Sequence, residues 1–507
     1  MSLAVIQCRA SVGIEAPPVK VEVNLAGGLP ALAIVGLPEA AVKESKDRVR
    51  AAIQNAGFEF PARKITVNLA PADLPKQGSR FDLAIALGIL AASGQLPDKG
   101  LKNYEFIAEL SLGSELRAVS GCLPASIEVA KSGRVLIVAT ENAQEAALAN
   151  PQAVRLARTL LEVCLYLRGE GDIPLAGSAK EATTYVPNHR EGHPCLSDVK
   201  GQSRAKRALE IAAGGGHNLL MLGSPGTGKS MLASRIPGIL PPMTKKEALE
   251  SAAVLSVSHY GFNPKVFGQR PFRHPHHTSS AAALVGGGSI PKPGEVSLSH
   301  HGVLFLDELP EFNRNVLEVL REPMETGTIS ISRAARQAEF PAHFQLIAAM
   351  NPCPCGYLGD ENGQCHCSSE QVSRYRNKIS GPLLDRIDMH VEVGRLSFDE
   401  LYSVNKQKEE TSFKVQQRVR ECRDLQLNRQ DVSNSQLSGE LLGKHCYLGP
   451  DERKLMKRAM GHFGLSPRSH DRILKVSRTI ADLSEAETLT VRHVSEAISL
   501  RSLDRKV

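Results

Sequence analysis

A chain of 507 residues with 42% hydrophobic and 23% charged residues has room for about three ordinary domains, which excludes a single small module and a disordered polymer. Aromatic residues reach only 4% and Trp is absent, which argues against base stacking as the main grip on a ligand. Lys and Arg number 61 against 54 Asp and Glu, an excess that permits attraction to phosphate without diagnosing it; from Leu401 onward the count is 20 basic to 14 acidic, so the excess sits in the last fifth.

The opening MSLAVIQCRASVGIEAPPVKVEV lacks a basic segment followed by a long apolar one, and no stretch reaches the roughly 18 apolar residues of a membrane span, so the chain reads as cytosolic and free of the membrane. Residues 1–170 alternate strand-like runs (VKVEVNL, LPALAIVGL, KITVNLA) with helix-like stretches at Ala40 to Asn55 and Phe81 to Ala92. YEFIAELSL, a helical CLPASIEVAKS, RVLIVAT and a helix near Asn142 to Ala149 continue the alternation, which predicts an α/β domain. Periodicity then fails from Gly169 to Pro194, and residues 171–195 read as a linker. Residues 196–395 run helix, strand, glycine-rich loop, helix, long irregular insertion, strand, helix, hairpin and strand, the order of a nucleotide-binding α/β core. Residues 396–507 turn polar and helical, with helices predicted over Glu452 to His462, Ser469 to Ile480 and Val491 to Ser499.

In NLLMLGSPGTGKSMLASRI the apolar strand Leu219 to Leu222 enters Gly223-Ser224-Pro225-Gly226-Thr227-Gly228-Lys229-Ser230, and a helix follows. Glycines let the backbone N–H groups point at phosphate, Lys229 reaches the terminal phosphates, and the Ser230 hydroxyl joins a Mg²⁺ shell. GVLFLDELPEF is a buried strand ending in Asp307-Glu308: Asp307 holds the metal directly or through water, and Glu308 is placed to take a proton from the attacking water. FQLIAAMN ends at Asn351, whose amide can orient water or touch the terminal phosphate.

The order and wording of these segments, with DVKGQSRAKRALEIAAGGGHNLLMLG ahead and GPLLDRIDMHVEV behind, resembles the magnesium-chelatase-like AAA+ ATPases over nearly the whole chain. Relatives in that branch include the magnesium chelatase motor subunit and the MCM replicative helicases. The resemblance implies ATP and Mg²⁺, sites shared between neighbours of a homohexameric ring, and a C-terminal helical lid. It implies Asn351 as sensor 1, Arg386 in LLDRID as the arginine finger reaching the adjoining subunit's ATP, Arg468 in GLSPRSHDR as sensor 2, and Gln202 near the base of the nucleotide. A guanidinium suits both arginine tasks because a fixed cation neutralises charge developing on phosphate. On the residues alone, an ion pair with Asp385 or Asp388 is the alternative for Arg386, a helix-start surface cation for Arg468, and a solvent-facing turn residue for Gln202; Arg376 and Arg472 are substitute arginine candidates. The resemblance further implies a branch migration helicase that acts on single-stranded, duplex or branched DNA, together with recombination proteins, when incoming DNA is integrated in natural transformation. A chelatase motor that inserts Mg²⁺ into a tetrapyrrole and a protein-remodelling ATPase are the competing functions.

GQRPFRHPHHTSSAAALVGGGSIPKPGEVSLSHHG, too rich in Gly, Pro and His to complete a core, matches that family's helix-2 insert; Arg270, Arg273 and Lys292 are its candidate phosphate contacts. TGTISISRAARQAEFPAHFQLI predicts a hairpin matching the pre-sensor-1 hairpin, with Arg333 and Arg336 near its tip as backbone contacts for DNA. Cys353-Pro354-Cys355 and Cys365-His366-Cys367 give two thiol pairs that can converge on a structural Zn²⁺, although the one-residue spacing is tighter than usual and reduced or redox-active thiols are the alternatives. The other six of the ten Cys are scattered, which fits a reducing compartment. The front domain resembles the Lon protease catalytic domain (an S5-like fold). Ser79 lies near the segment that matches the nucleophile loop, but Gly121-Cys122-Leu123-Pro124 puts proline where the base is expected, with Lys76 as a geometric substitute, so no convincing Ser–Lys dyad is expected. Lys43, Lys46, Arg48 and Arg50 line a basic helix face, either a DNA-contacting collar or a solvated surface.

Overall fold

A computed structural model describes residues 2–178, 194–333, 336–359, 364–396, 409–501 and 503. Most of the predicted linker, 179–193, lies outside the described residues. The chain divides into two compact units, Met1–Val186 with Ala248–Phe267, and Pro187–Glu247 with Gly268–Val507.

The front unit is built on a seven-stranded mixed sheet. Its strands lie in the order Ala31–Val35, Lys64–Ala70, Pro18–Ala26, Ser2–Arg9, Tyr104–Ile107, Val135–Ala139, Val154–Ala157. Pro18–Ala26 runs antiparallel to both its neighbours, and the last four strands run parallel. The helix Asp82–Ala92 is almost entirely apolar and only Ala91 escapes full burial, so it serves as the core element against the sheet. Helix Lys245–Val257 sits in the sequence between the phosphate loop and the insertion, yet Ala252 and Ala253 pack with Leu123 and Leu148 of the front unit. The Gly121 amide donates to the Ser256 carbonyl at 3.0 Å, and the Ser256 hydroxyl donates to Glu145. Hydrophobic periodicity identifies such a helix but cannot say which core it joins.

The second unit holds a five-stranded, wholly parallel sheet ordered Phe272–Arg273, Val303–Leu306, Gln345–Met350, Leu219–Leu222, Met389–Glu392. The three middle strands are buried along their whole length, the pattern of a parallel sheet covered on both faces. The strand that comes first in the chain lies between the fourth and fifth, so the order of connection reverses beside it. In an open α/β sheet, ligands bind at the carboxyl ends at such a point. Phe272–Arg273 belongs to the stretch read as too rich in Gly, Pro and His to complete a core. It pairs instead with Val303 and Leu304, and Leu284, Val296 and Leu298 of the same stretch are buried, because a short parallel edge needs only two residues in register.

The predicted hairpin forms as Thr328–Arg333 against Arg336–Pro341, with Arg333 opposite Arg336. Ile329, Ile331, Ala338 and Phe340 are buried, following the two-residue period of a half-buried ladder. A smaller ladder, Gly286–Gly287 with Lys292–Pro293, lies against it: a Cβ on Gly286 would stand 2.8 Å from Ile331 Cδ1.

Five C-terminal helices, Ser412–Gln430, Gly439–His445, Pro450–Phe463, Pro467–Leu483 and Val491–Ser499, share one apolar core with helix Ser203–Gly215 and the sheet. The three predicted helices are among them. Ser412–Gln430 was not predicted, since its polar composition blurs the helical period.

Candidate nucleotide site

Four segments meet at the carboxyl ends of the parallel strands. The loop after Leu219–Leu222 turns through Gly226 (φ 78°) and Gly228 (φ 91°), left-handed conformations that suit glycine, and opens helix Lys229–Ala233. The Lys229 side chain folds back over it, with Nζ donating to the carbonyls of Gly223 (2.6 Å) and Ser224 (3.0 Å) and to Asn351 Oδ1 (3.1 Å). Burial pulls the Lys229 ammonium below its ordinary value, and Asp307 and Glu308 oppose that shift. The Ser230 hydroxyl donates to Asp307 Oδ2, and Asp307 Oδ1 accepts the Glu308 amide at 2.9 Å. Glu308 has φ 53°, rare for a residue with a side chain, and lies 3.4 Å from His277 Nδ1. Its carboxylate is thus half-exposed at the mouth of the site. Gln202, also left-handed at φ 54°, donates to the carbonyls of Gly394 (2.7 Å) and Thr227 (3.4 Å), joining a strand end to the loop.

This arrangement presents one buried cation, a hydroxyl–carboxylate pair and a half-exposed carboxylate around a loop of amides. Those are the donors that Mg²⁺ and a nucleoside triphosphate require: Ser230 and Asp307 supply hard oxygen ligands, and Lys229 supplies the phosphate cation. When bound, Mg²⁺ neutralises phosphate charge. Ser224, Pro225 and Thr227 complete the loop, and the Gly223 amide is tied to the Met350 carbonyl at 3.2 Å.

The cysteine turn abuts the same loop. A Cβ on Gly356 (φ 85°) would fall 2.5 Å from Pro225 Cδ, so only glycine lets the two turns pack. Cys353, Cys355, Cys365 and Cys367 place their sulfurs within 4.8 Å of one another, with Cys353–Cys355 at 3.3 Å, Cys355–Cys365 at 3.6 Å and Cys353–Cys365 at 3.8 Å. A tetrahedral shell with Zn–S of about 2.3 Å sets sulfurs about 3.8 Å apart, so the four thiols fit zinc.

The arginine candidates take three different positions. Arg386 is buried; it donates to the Pro382 carbonyl at 2.6 Å and pairs with Glu325, and among the described residues none of its hydrogen bonds or ion pairs is to the phosphate loop of its own chain. Its acidic partner is therefore neither Asp385 nor Asp388. Asp388 instead receives Arg472 and the Asn218 amide (2.9 Å), with His217 Nδ1 at 3.7 Å. Burial alone would raise the Asp388 carboxyl, but Arg472 and His217 hold it far below the usual range. Asn218 also donates to the Arg386 carbonyl (3.1 Å) and accepts the Leu346 amide (2.8 Å), so it links the arginine turn to the strand that ends at Asn351. Arg468 is exposed on the first turn of helix Pro467–Leu483, and Arg376 donates weakly to the Pro352 carbonyl at 3.4 Å.

Among the expected DNA contacts, Arg270 spends its guanidinium on the carbonyls of Pro241, Pro242 and His301 and on Glu247, and Arg273 grips Glu295 at 2.6 and 2.7 Å. Lys292 is exposed, and Arg333 and Arg336 close the larger hairpin. His277 beside Glu308 and the Asn218–Asp388–Arg472 strut were not anticipated. The repeated His in RHPHHT was the available signal for the first, but its partner lies 31 positions away in sequence.

In the front unit Lys76 is buried, with its ammonium donating to the Pro71 carbonyl, while the Ser79 hydroxyl donates to Glu109. Among the described residues these two side chains make no nucleophile–base pair.

Comparison with known proteins agrees with the geometry. The family described as magnesium chelatase, subunit ChlI, matches residues 195–401; subunit ChlI of Mg-chelatase matches 21–142, and the ChlI C-terminal region matches 409–501. The competence protein ComM of Haemophilus influenzae is 50% identical over 507 residues, spanning 100% of this chain and 98% of that protein. The YifB protein of Salmonella typhimurium, itself uncharacterized, is 49% identical over 508 residues with the same coverage. The DNA replication licensing factor MCM4 of Arabidopsis thaliana is 27% identical over 170 residues, 32% of this chain and 18% of that one. Among the described residues no helix is long and apolar enough to cross a membrane. With likeness spanning the full chain and an ATPase's residues converging at the strand ends, the chain belongs to the magnesium-chelatase-like family of AAA+ ATPases.

Proposed function

We propose that the chain is an ATP-driven DNA motor that works as a homohexameric ring in the cytoplasm, a branch migration helicase that promotes integration of incoming DNA in natural transformation. The observation that carries the hydrolytic part is the junction of Lys229 with Asn351 and of Ser230 with Asp307, which joins three strand ends into one site. Glu308 activates the water, Lys229 and Mg²⁺ stabilise phosphate charge, and Asn351 senses the terminal phosphate. Arg386 acts on the neighbouring subunit's ATP, which requires Glu325 to release it; Arg468, exposed at a helix start, is available as sensor 2. Similarity to a competence protein supports the pathway, and the partial likeness to a replication licensing factor supports DNA as the track.

Lys292 and the Arg333–Arg336 hairpin are the phosphate contacts of the channel, with Arg270 and Arg273 bracing the insert that carries Lys292. The four cysteines hold a structural Zn²⁺ that fixes the turn after Asn351 against Pro225. One zinc per chain by elemental analysis, lost in Cys365→Ser, is the expected result. Full zinc occupancy in Cys365→Ser would rule this assignment out.

A chelatase motor is the second reading, favoured by the family description alone. Purified chain incubated with ATP and a four-way junction separates the two: DNA-stimulated hydrolysis and junction unwinding support the motor. A clean negative across nucleotide and salt conditions sinks it.

A further inference from the structure

Two C-terminal helices treat most of their cations in opposite ways, Lys414 on the first being exposed like those on the second. On Ser412–Gln430, Arg418 pairs with Glu210 and Glu410, Arg420 with Asp424 and Arg429 with Asp482, while Arg423 donates to the carbonyls of Ala213 and Gly214. On Pro450–Phe463, Arg453, Lys454, Lys457 and Arg458 are all exposed. Arg453 donates to the Leu448 carbonyl and lies 5.0 Å over the Tyr447 ring; Lys454, Lys457 and Arg458 have no partner among the described residues.

At 3.6 residues per turn these four cations fall within about 140° of arc. The buried Met456 and Ala459 occupy the opposite side. Asp451 and Glu452, the helix's only acids, lie in the first turn, where the helix dipole favours them; Asp451 stands about 20° beyond Arg458 at the edge of the arc, and past the first turn the outer face carries one sign of charge. Cations three and four residues apart repel one another. An ordinary solvated face relieves that by interspersing acids, as Ser412–Gln430 does. Tyr447, 67% exposed, borders the arc beneath Arg453.

We infer that the exposed arc of helix Pro450–Phe463, centred on Lys454, Lys457 and Arg458, is a second contact surface for the DNA phosphate backbone, an inference that rests on the reading of the chain as a DNA motor. The occupant is a polyanion because the surface offers unpaired positive charge. The contact is with the backbone because the cations stand together on one exposed helix face, and phosphate and sugar take half to two-thirds of protein–DNA hydrogen bonds. Ammonium groups on flexible stems make individually weak, releasable contacts, which suits a surface that must let its track slide.

The test uses the full chain and a labelled four-way junction, with affinity measured across a salt series and ATP turnover measured with and without DNA. Two triple variants are compared, Lys454→Glu/Lys457→Glu/Arg458→Glu and its glutamine counterpart, with Lys99→Glu/Lys102→Glu on the front unit as the control. Affinity near physiological salt falls at least about tenfold in the glutamate triple, and the slope of log affinity against log salt becomes shallower by about 3 in both triples, one per lost phosphate contact. DNA-free turnover stays at the wild-type level, and the control double variant binds as wild type does. Wild-type affinity and slope in both triples overturn the inference. So does loss of ring assembly without DNA in the glutamine triple, which would assign the arc to a neighbouring subunit. If the wild-type chain binds no DNA at any salt concentration, the motor reading itself fails and this inference falls with it.

Discussion

Each unit of this chain holds a lysine and, within three positions of it, a serine whose hydroxyl meets a carboxylate, and the two sets are built differently. In the front unit Lys76 caps the Pro71 carbonyl and Ser79 donates to Glu109, and among the described residues no hydrogen bond joins the two. In the nucleotide unit Lys229 reaches Asn351 and Ser230 reaches Asp307 across a glycine-bearing loop at the ends of parallel strands. The residue types are nearly the same. What differs is the backbone: one set hangs on an ordinary loop, the other surrounds a cradle of amides at the point where strand order reverses.

The contrast breaks most directly at the acids and lysines. Glu308→Gln lowers ATP turnover by about 10³-fold or more while nucleotide affinity persists, and Lys229→Ala loses both, read by phosphate release and nucleotide binding. Lys76→Met and Ser79→Ala leave turnover within about twofold; a loss comparable to Glu308→Gln in either would erase the distinction. Arg386→Ala comes next, with a loss of about 10³-fold. On the proposed action of Arg386 in trans, mixing Arg386→Ala with Glu308→Gln subunits restores part of the activity, and a mixture no better than its components would place the arginine in its own subunit's chemistry.

Smaller effects fall on stability. Asp388→Asn leaves Arg472 facing a neutral amide and costs roughly 3 kcal/mol, seen as an earlier urea transition for the nucleotide unit with the front unit's transition in place. pH sharpens the same difference. Burial holds His217 below its ordinary imidazole value, so the native state stays unprotonated where the unfolded state takes up a proton. Stability therefore falls as pH drops below about 6.5, by up to about 1.4 kcal/mol per pH unit, and His217→Gln flattens that slope in thermal melts of the nucleotide unit.

The nucleotide loop and acidic strand were legible in sequence because their chemistry is local: glycines, lysine and serine are consecutive, and a four-residue apolar strand delivers Asp307 and Glu308 together. The three-way meeting of Lys229, Asn351 and Asp307 followed from strand type and order. Side-chain partners set by long-range packing were not legible. Arg270 and Arg273 look like free cations in GQRPFRHPHH, yet carbonyls brought from Pro241, Pro242 and His301, and the carboxylates of Glu247 and Glu295, occupy them. Arg386 was read beside two neighbouring aspartates, and the fold gave it Glu325, 61 positions away.

Residues adjacent along the chain made the two α/β regions, the helical end, the phosphate loop, the Asp307-Glu308 strand end and the two thiol pairs legible. Tertiary packing settled which cations are spent and which are free, and that Ala252 and Ala253 of helix Lys245–Val257 join the front core. The reason is physical. Hydrogen-bonding capacity travels with the residue, but whether it is satisfied depends on which distant carbonyl or carboxylate the packing of apolar faces brings within 3 Å.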